Sequence, residues 1–118
     1  MAAGTQTVEL SHVHVYTNSG TADNDVLIQT SDVSQFDTFH VMSTAGAVDV
    51  FASIDGTNYS VTALSLTDQG ATTSDPVLVT AANRLYGFRG KYKKLKVLVN
   101  GATNPTACSL LCGTMGGD

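Results

Sequence analysis

Residues 47–66 read AVDVFASIDGTNYSVTALSL, and this stretch decides the fold class. Its first arm alternates an apolar face of Val48, Val50, Ala52 and Ile54 with a second face of Asp49, Phe51, Ser53 and Asp55, the period of two of a pleated strand. The second arm repeats the alternation with Tyr59, Val61 and Ala63. Residues 55–58, DGTN, form a turn signal between the arms, because glycine adopts positive φ freely and Asp and Asn bond their own backbone. The stretch therefore predicts a β-hairpin.

Short alternating runs separated by turn residues continue on both sides of this hairpin. They predict further strands over residues 7–16, 25–30, 38–43, 77–80, 85–88, 93–100 and 106–114, with polar loops at residues 18–24 and 67–75. No window shows a convincing helical period. Eight or nine short strands predict an all-β fold, an antiparallel β-sandwich, and leave jelly-roll and immunoglobulin-like topologies both open.

The chain of 118 residues has the length of one domain with its own core. We predict a flexible N-terminal arm over residues 1–6, a single β-sandwich over residues 7–114 and a loose tail over residues 115–118.

Charged residues make up 14% of the chain, against about 25% in typical soluble domains, which suits a protein that stays packed against partners. The N-terminus has no signal-peptide pattern and no run reaches the length of about 18 apolar residues that a membrane span needs, so we expect a cytoplasmic product without membrane contact.

The distribution of charge is the most informative feature of the sequence. All six basic residues lie within residues 84–96, and they are Arg84, Arg89, Lys91, Lys93, Lys94 and Lys96. This segment fits a solvated edge strand, a contact surface for an acidic protein or a neighbouring copy, or a nucleic-acid site in which Tyr86, Phe88 and Tyr92 stack on bases. We favour protein contact, because the net charge of −4 weakens attraction to phosphates.

The candidates for chemistry are few. His12 and His14 share one face of a predicted strand and could bind a metal if a third ligand were near, but histidines at the edge of the core or in solvent explain them better. Cys108 and Cys112 lie roughly 13 Å apart on a strand, too far for a disulfide, and are expected to be buried, reduced thiols.

No nucleophile elbow, phosphate loop or carboxylate pair is present, so we predict no enzyme and no cofactor. Sugar binding is disfavoured because the chain has no Trp.

Three segments carry a resemblance to structural proteins of tailed bacteriophages. They are SIDGTNY at residues 53–59, VLVTA at residues 77–81 and GKYKKLKVLVNGAT at residues 90–103. The resemblance extends over the run from residue 48 to residue 102, about half of the chain. In these segments the chain resembles small capsid decoration (cement) proteins and related β-sandwich head or tail proteins.

The resemblance implies a non-enzymatic virion protein that binds the outer shell, is often a trimer, and stabilises the joints between capsomers. Its partners would be the major capsid protein and other copies of itself, and its location the capsid surface after assembly in the host cytoplasm. The basic segment would then contact acidic capsid surface or the next copy. A tail or fibre component of the virion and a nucleic-acid-binding module are the alternatives.

Overall fold

The computed structural model describes residues 6–9, of which the backbone alone is considered, and residues 13–70, 75–101 and 106–114. Residues 1–5 of the predicted arm and the predicted tail over residues 115–118 lie outside the described residues, whereas Gln6 begins the first strand. No helix in the described ranges is long and apolar enough to cross a membrane.

The described residues form nine β-strands. They are β1 Gln6–Glu9, β2 His14–Gly20, β3 Val26–Gln29, β4 Thr38–Thr44, β5 Ala47–Ser53, β6 Thr67–Asp68, β7 Leu85–Arg89, β8 Lys94–Asn100 and β9 Thr106–Gly113. All pairings between them are antiparallel. The predicted all-β fold of short strands is confirmed.

The strands make two sheets, one of six strands in the order β1-β2-β9-β4-β7-β6 and one of three in the order β3-β8-β5. Consecutive strands from β2 to β5 alternate between the sheets, and so do β7, β8 and β9. This alternation is the double-sheet arrangement of a jelly roll, whereas an immunoglobulin fold keeps several consecutive strands in one sheet. The structure thus decides between the two topologies that the sequence left open.

The core lies between the two sheets and is built from the alternate residues of each strand. The fully buried side chains include Phe39 and Val41 of β4, Val48 and Val50 of β5, Leu95, Val97 and Val99 of β8, and Leu110 and Cys112 of β9. The inward faces predicted for β5, β8 and β9 are confirmed, with one exception. Ile54 is 81% exposed because β5 ends at Ser53 and the chain turns before Ile54 reaches the core.

Two predictions for the first third of the chain are wrong. Residues 7–16 form parts of two strands, β1 and β2, which pair with each other, with Thr7 opposite Tyr16. The sequence carries no turn signal between the two strands, because residues 10–13 contain no Gly, Pro, Asn or Asp. Strand β2 also continues to Gly20, into the segment predicted as a loop, because its end pairs with β9.

The second arm of the predicted central hairpin is also not a strand. The segment follows the edge of β5 through two backbone hydrogen bonds, from Ser60 N to Ala52 O and from Leu64 N to Val50 O, both 2.8 Å long. Four residues therefore span the distance of two on β5, and the surplus bulges outward, leaving Val61 97% exposed. Residues 77–80 are likewise irregular, and only Val77 makes a bridge, to Leu66.

Two buried threonines complete the three-stranded sheet where regular strands are missing. Thr80 N donates to Val48 O at 3.0 Å, and Thr80 Oγ1 accepts from Val48 N at 3.1 Å. Thr30 binds Leu95 in the same way, with both bonds 2.9 Å long. In each case the side-chain oxygen takes the place of a carbonyl in an antiparallel pair. Thr80 Oγ1 also lies 2.8 Å from Ser43 Oγ on β4, so it links the two sheets.

We predict that Thr80→Val destabilises the protein by about 1–3 kcal/mol, because it leaves the buried Val48 N–H without an acceptor. The Thr80→Ser variant keeps the hydroxyl and serves as the control, with a smaller loss. Urea denaturation of the three proteins measures the free energy of unfolding. Equal stabilities of the Val and Ser variants would show that the hydroxyl contributes nothing.

Asp55 makes the turn after β5 sensitive to pH. Its carboxylate accepts hydrogen bonds from the backbone and side chain of Asn58, from Thr57 N and from Ser53 Oγ, and these lower its pKa far below the usual value. Because the native pKa is depressed, the ionised Asp55 stabilises the fold at pH values above the unfolded-state pKa of about 3.9. This stabilisation is lost as the pH falls from there through the native pKa. The turn chemistry predicted for residues 55–58 is confirmed.

We therefore expect the stability difference between wild type and Asp55→Asn to be largest near neutral pH. It should shrink as the pH falls below about 4, because Asp55 of the unfolded wild-type chain then binds a proton, which favours unfolding, whereas the amide of the variant binds none. Urea denaturation at a series of pH values measures it. Asp75→Asn is the matched control, since Asp75 is exposed and accepts no hydrogen bond within the described ranges. A difference that stays constant down to low pH would contradict this assignment.

Candidate protein-contact surfaces

Four of the six predicted contact residues gather at one end of the sandwich, which we call the basic end: Arg89, Lys91, Lys93 and Lys94. Strand β7 ends at Arg89 and β8 begins at Lys94, so two of the four lie on the connection between the two sheets and the other two are the strand residues that flank it. The connection needs glycine at position 90, where φ is 153° and a Cβ would lie 2.6 Å from Tyr92 Oη. The local fold therefore concentrates four of the six cations of the sequence on one short loop and the two strand ends beside it.

The loop between β3 and β4 holds part of this charge. Lys91 Nζ donates to Ser34 O at 3.3 Å, and Lys93 Nζ lies 3.9 Å from Asp32 Oδ2. Hydrogen bonds from Ser34 lower the pKa of Asp32, and the positive charges of Lys93 and Lys94 lower it further. Both partners of the Lys93–Asp32 pair are about half exposed, so the pair is weak and leaves the lysine available to another partner.

The opposite end of the sandwich is acidic. Asp23 accepts a hydrogen bond from Gly101 N, Asp25 from Ala22 N, and Asp49 from Asn100 Nδ2. Arg84, at the start of β7, belongs to this end and is paired with Asp68. The charge of the described residues is thus only partly polarised along the strands, because Asp32, Asp37 and Asp55 lie at the basic end. Arg84 does not join the other cations.

Lys96 lies apart from both ends, on the outer face of the three-stranded sheet. Its Nζ is 4.6 Å from the centre of the Tyr59 ring and 6.0 Å from that of Phe51, within reach of cation–π attraction. Gln29 Nε2 donates to Tyr59 Oη at 3.3 Å and holds the tyrosine over the sheet. Lys96 therefore supports local packing, and the six basic residues do not form one continuous surface.

The outer face of the six-stranded sheet is a second candidate surface, and it is apolar. Met42, Leu85 and Leu111 are 39%, 45% and 40% exposed and, with Val15, His40, Ser109 and Leu110, line a groove of about 380 Å³. Sequence analysis missed this surface. The Leu110-Leu111 pair could have indicated it, because adjacent residues of a strand point to opposite faces, so one of the two leucines must lie on the outer face.

A cleft of about 630 Å³ opens between the sheets beside the basic end. Its lining residues are Thr38, His40, Leu64, Ser65, Thr67, Gln69, Gly87, Phe88, Arg89 and Tyr92. Gly87 lies in its floor, and a Cβ there would make tight contacts, 3.0 Å from Gln69 Nε2 and 3.2 Å from His40 Cδ2. The cleft joins polar groups of the outer face to aromatic groups of the core, and sequence reasoning had identified only Arg89 in it as a contact residue.

The aromatic residues of the basic segment do not form the base-stacking platform considered above. Tyr86 and Phe88 are buried, and Tyr86 Oη accepts a hydrogen bond from Ala81 N at 2.9 Å. The Phe88 ring lies 5.1 Å from that of Phe39 inside the core. Only Tyr92, which is partly buried against the same cluster, retains an accessible edge.

The residues considered for metal or thiol chemistry are mostly buried. His12 lies outside the described residues, and the buried His14 packs against Phe36 at 4.8 Å between ring centres. Across the described ranges, no three His, Cys, Asp or Glu side chains come together as metal ligands. Cys108 and Cys112 are buried free thiols, as predicted, and burial raises the pKa of each to about 12. Neither is a thiolate near neutral pH.

Comparison with known proteins relates the chain to others by fold alone. No protein-family model matches it, and no curated protein matches it in sequence. Its fold is similar to that of the SPBc2 prophage-derived protein YomS, with a TM-score of 0.63 and 15% identity over 89% of this chain and 97% of that one. A phage-derived protein therefore has this two-sheet fold at nearly the same length.

Weaker likenesses extend to the cupins. An RmlC-like cupin family protein with a double-stranded β-helix fold from Methanocaldococcus jannaschii has a TM-score of 0.47 and 11% identity, over 93% of this chain and 80% of that one. An oxalate oxidase in complex with the substrate analogue glycolate has a TM-score of 0.45 and 9% identity, over 86% and 42%. Similar structures thus include an enzyme, and likeness at this level says nothing about activity.

Proposed function

We propose that this chain is a structural protein of a phage virion and, more specifically, a capsid decoration protein on the outer shell. The observation that carries the proposal is the fold shared with a prophage-derived protein over almost the whole of both chains. The resemblance of residues 53–59, 77–81 and 90–103 to decoration proteins supports the same function. The protein would be made in the host cytoplasm and reach the capsid surface during assembly.

In this proposal the basic end contacts the major capsid protein. Arg89 and Lys94 form no ion pair with any described residue, and the ion pair of Lys93 is weak because both partners are half exposed. Exposed cations without a strong partner favour binding to an acidic protein surface. Each such ion pair contributes only modestly to the binding free energy. Many copies over a shell compensate, because repeated weak contacts hold an assembly that one contact would not.

We also propose that the chain is neither an enzyme nor dependent on a cofactor. Its cysteines are protonated and buried, and His14 is packed against an aromatic ring. Arg84 and Lys96 already have partners, in Asp68 and Tyr59. The accessible groups at the basic end include cations, which suit binding better than proton transfer.

Charge reversal at the basic end tests this function. We expect the Lys93→Glu/Lys94→Glu double variant to bind purified particles that lack this protein about tenfold more weakly than wild type near physiological salt, because attraction becomes repulsion. Co-sedimentation with the particles measures the bound fraction.

The control is the Arg84→Glu/Lys96→Glu double variant, which changes the net charge equally outside the basic end. It should bind nearly as well as wild type, and thermal melting verifies that both variants fold. If the two variants weakened binding equally, the loss of affinity would be explained by net charge alone and not by the position of the cations. Unchanged binding by the first variant would remove the basic end from the contact.

We further propose that copies associate, with a trimer favoured, through the apolar outer face of the six-stranded sheet. Exposed apolar side chains gathered on one sheet face are typical of protein interfaces. Leu111 lies on β9, between β2 and β4, and is therefore central to that face.

Leu111→Glu should lower the molar mass in solution to that of the monomer, because a carboxylate would be buried without a partner. Val61→Glu is the control, since Val61 is equally apolar and lies in the irregular segment beside β5. Light scattering after size-exclusion chromatography measures the mass. A monomeric wild-type protein, or a trimer that survives Leu111→Glu, would contradict this interface.

A further inference from the structure

The cleft beside the basic end exists because β6 is short. Strand β6 pairs Thr67 with Gly87 and Asp68 with Tyr86, and goes no further. Just before Thr67 the chain crosses to the other sheet, where Leu64 N donates to Val50 O. Phe88 and Arg89, the last two residues of β7, therefore have no strand beside them on this side within the described ranges.

The backbone of Arg89 faces into this gap. Along a strand, alternate residues direct their N–H and C=O groups to the same side. Leu85 O accepts from Gln69 N on the β6 side, whereas Gly90 N donates to Asp37 O on the β4 side. Leu85, Gly87 and Arg89 therefore direct their backbone groups toward β6, and those of Arg89 reach the cleft where that strand has ended.

The side chains around this free edge are charged on the outer side and apolar on the inner side. Arg89 projects on the outer face and has no carboxylate partner among the described residues. Phe88, Leu64 and Tyr92 line the inner part of the cleft, next to the core. In a strand laid along this edge, the residue opposite Arg89 would direct its side chain to the guanidinium, and the residues on either side of it would direct theirs to the apolar wall.

We propose that this cleft binds an extended peptide segment that adds to β7 as a further strand and carries an acidic residue flanked by apolar ones. Its backbone bonds to that of Arg89, its carboxylate pairs with the guanidinium, and an apolar side chain packs against Phe88 and Leu64. A protein is the partner rather than a nucleic acid, since Tyr86 and Phe88 are turned into the core. The inference deepens the proposed function by naming the kind of segment that a shell protein would offer.

The test uses amide NMR of the isolated, isotope-labelled protein, titrated with acetyl-Ser-Val-Asp-Val-Ser-amide. We expect saturable shifts confined to residues 64–69 and 87–92. The peptide with Asn in place of Asp should bind about five- to tenfold more weakly, because the charge-assisted hydrogen bonds to Arg89 are lost. An N-methyl group on the Asp amide, which removes the donor facing Arg89 O, should weaken binding at least as much.

Two variants give the site its control. Arg89→Gln should bind the Asp and Asn peptides equally, whereas Arg84→Gln, which removes the same charge from the other end of β7, should keep the preference for Asp. The proposal is overturned by shifts that map elsewhere, by no saturation up to about 10 mM peptide, or by an oligothymidylate that shifts the same amides at lower concentration. Because no particle is present, such a failure would leave the particle-binding result for Lys93 and Lys94 standing on its own.

Discussion

Two side-chain hydroxyl groups hold together the part of this fold that regular strands leave incomplete. Thr30 and Thr80 each donate a backbone N–H to a residue of the three-stranded sheet and accept that residue's own N–H on Oγ1. A three-stranded sheet has two edges close to its core, and buried amide groups without partners would each cost about 1–3 kcal/mol. The threonines supply those partners without the length of a full strand.

The surfaces assigned to function depend on these contacts. Thr30 fixes Leu95, the second residue of β8, and β8 begins at Lys94, so this pair sets where the basic end projects. Thr80 closes the far edge of β5 and, through Ser43, ties it to the six-stranded sheet. The charge at one end of the molecule is therefore held on a well-bonded frame, and the loop that carries it is itself bonded through Gly90 N to Asp37 O and Lys93 N to Ser53 O.

Much of this architecture is visible in the sequence, because the period of two is a local property. Alternation identified the inward faces of β5, β8 and β9, and the residue types at positions 55–58 identified the Asp55 turn. Long-range pairing is not local, so alternation could not show that β1 and β2 are separate strands that pair with each other. It also could not show that residues 59–66 have too many residues to follow β5 in register, which is a question of spacing between two segments.

The same distinction applies to the surfaces. The cluster of cations over residues 84–96 is a sequence fact, and four of the six do meet at one end. That Arg84 faces Asp68, and that Lys96 lies under Tyr59, depends on strand order and could not be anticipated. The cleft at Arg89 requires knowing where β6 ends, and the apolar sheet face requires knowing that Leu111 points outward. Both surfaces come from topology rather than from composition.

We propose that this protein coats a phage shell. The most direct measurement is its copy number relative to the major capsid protein in purified particles of the phage that encodes it, by quantitative mass spectrometry. We predict hundreds of copies in each particle, in fixed proportion to the capsid protein, because weak contacts need multiplicity over a shell. A handful of copies would place the protein in the tail or at a vertex, and its absence from the particles would contradict the account.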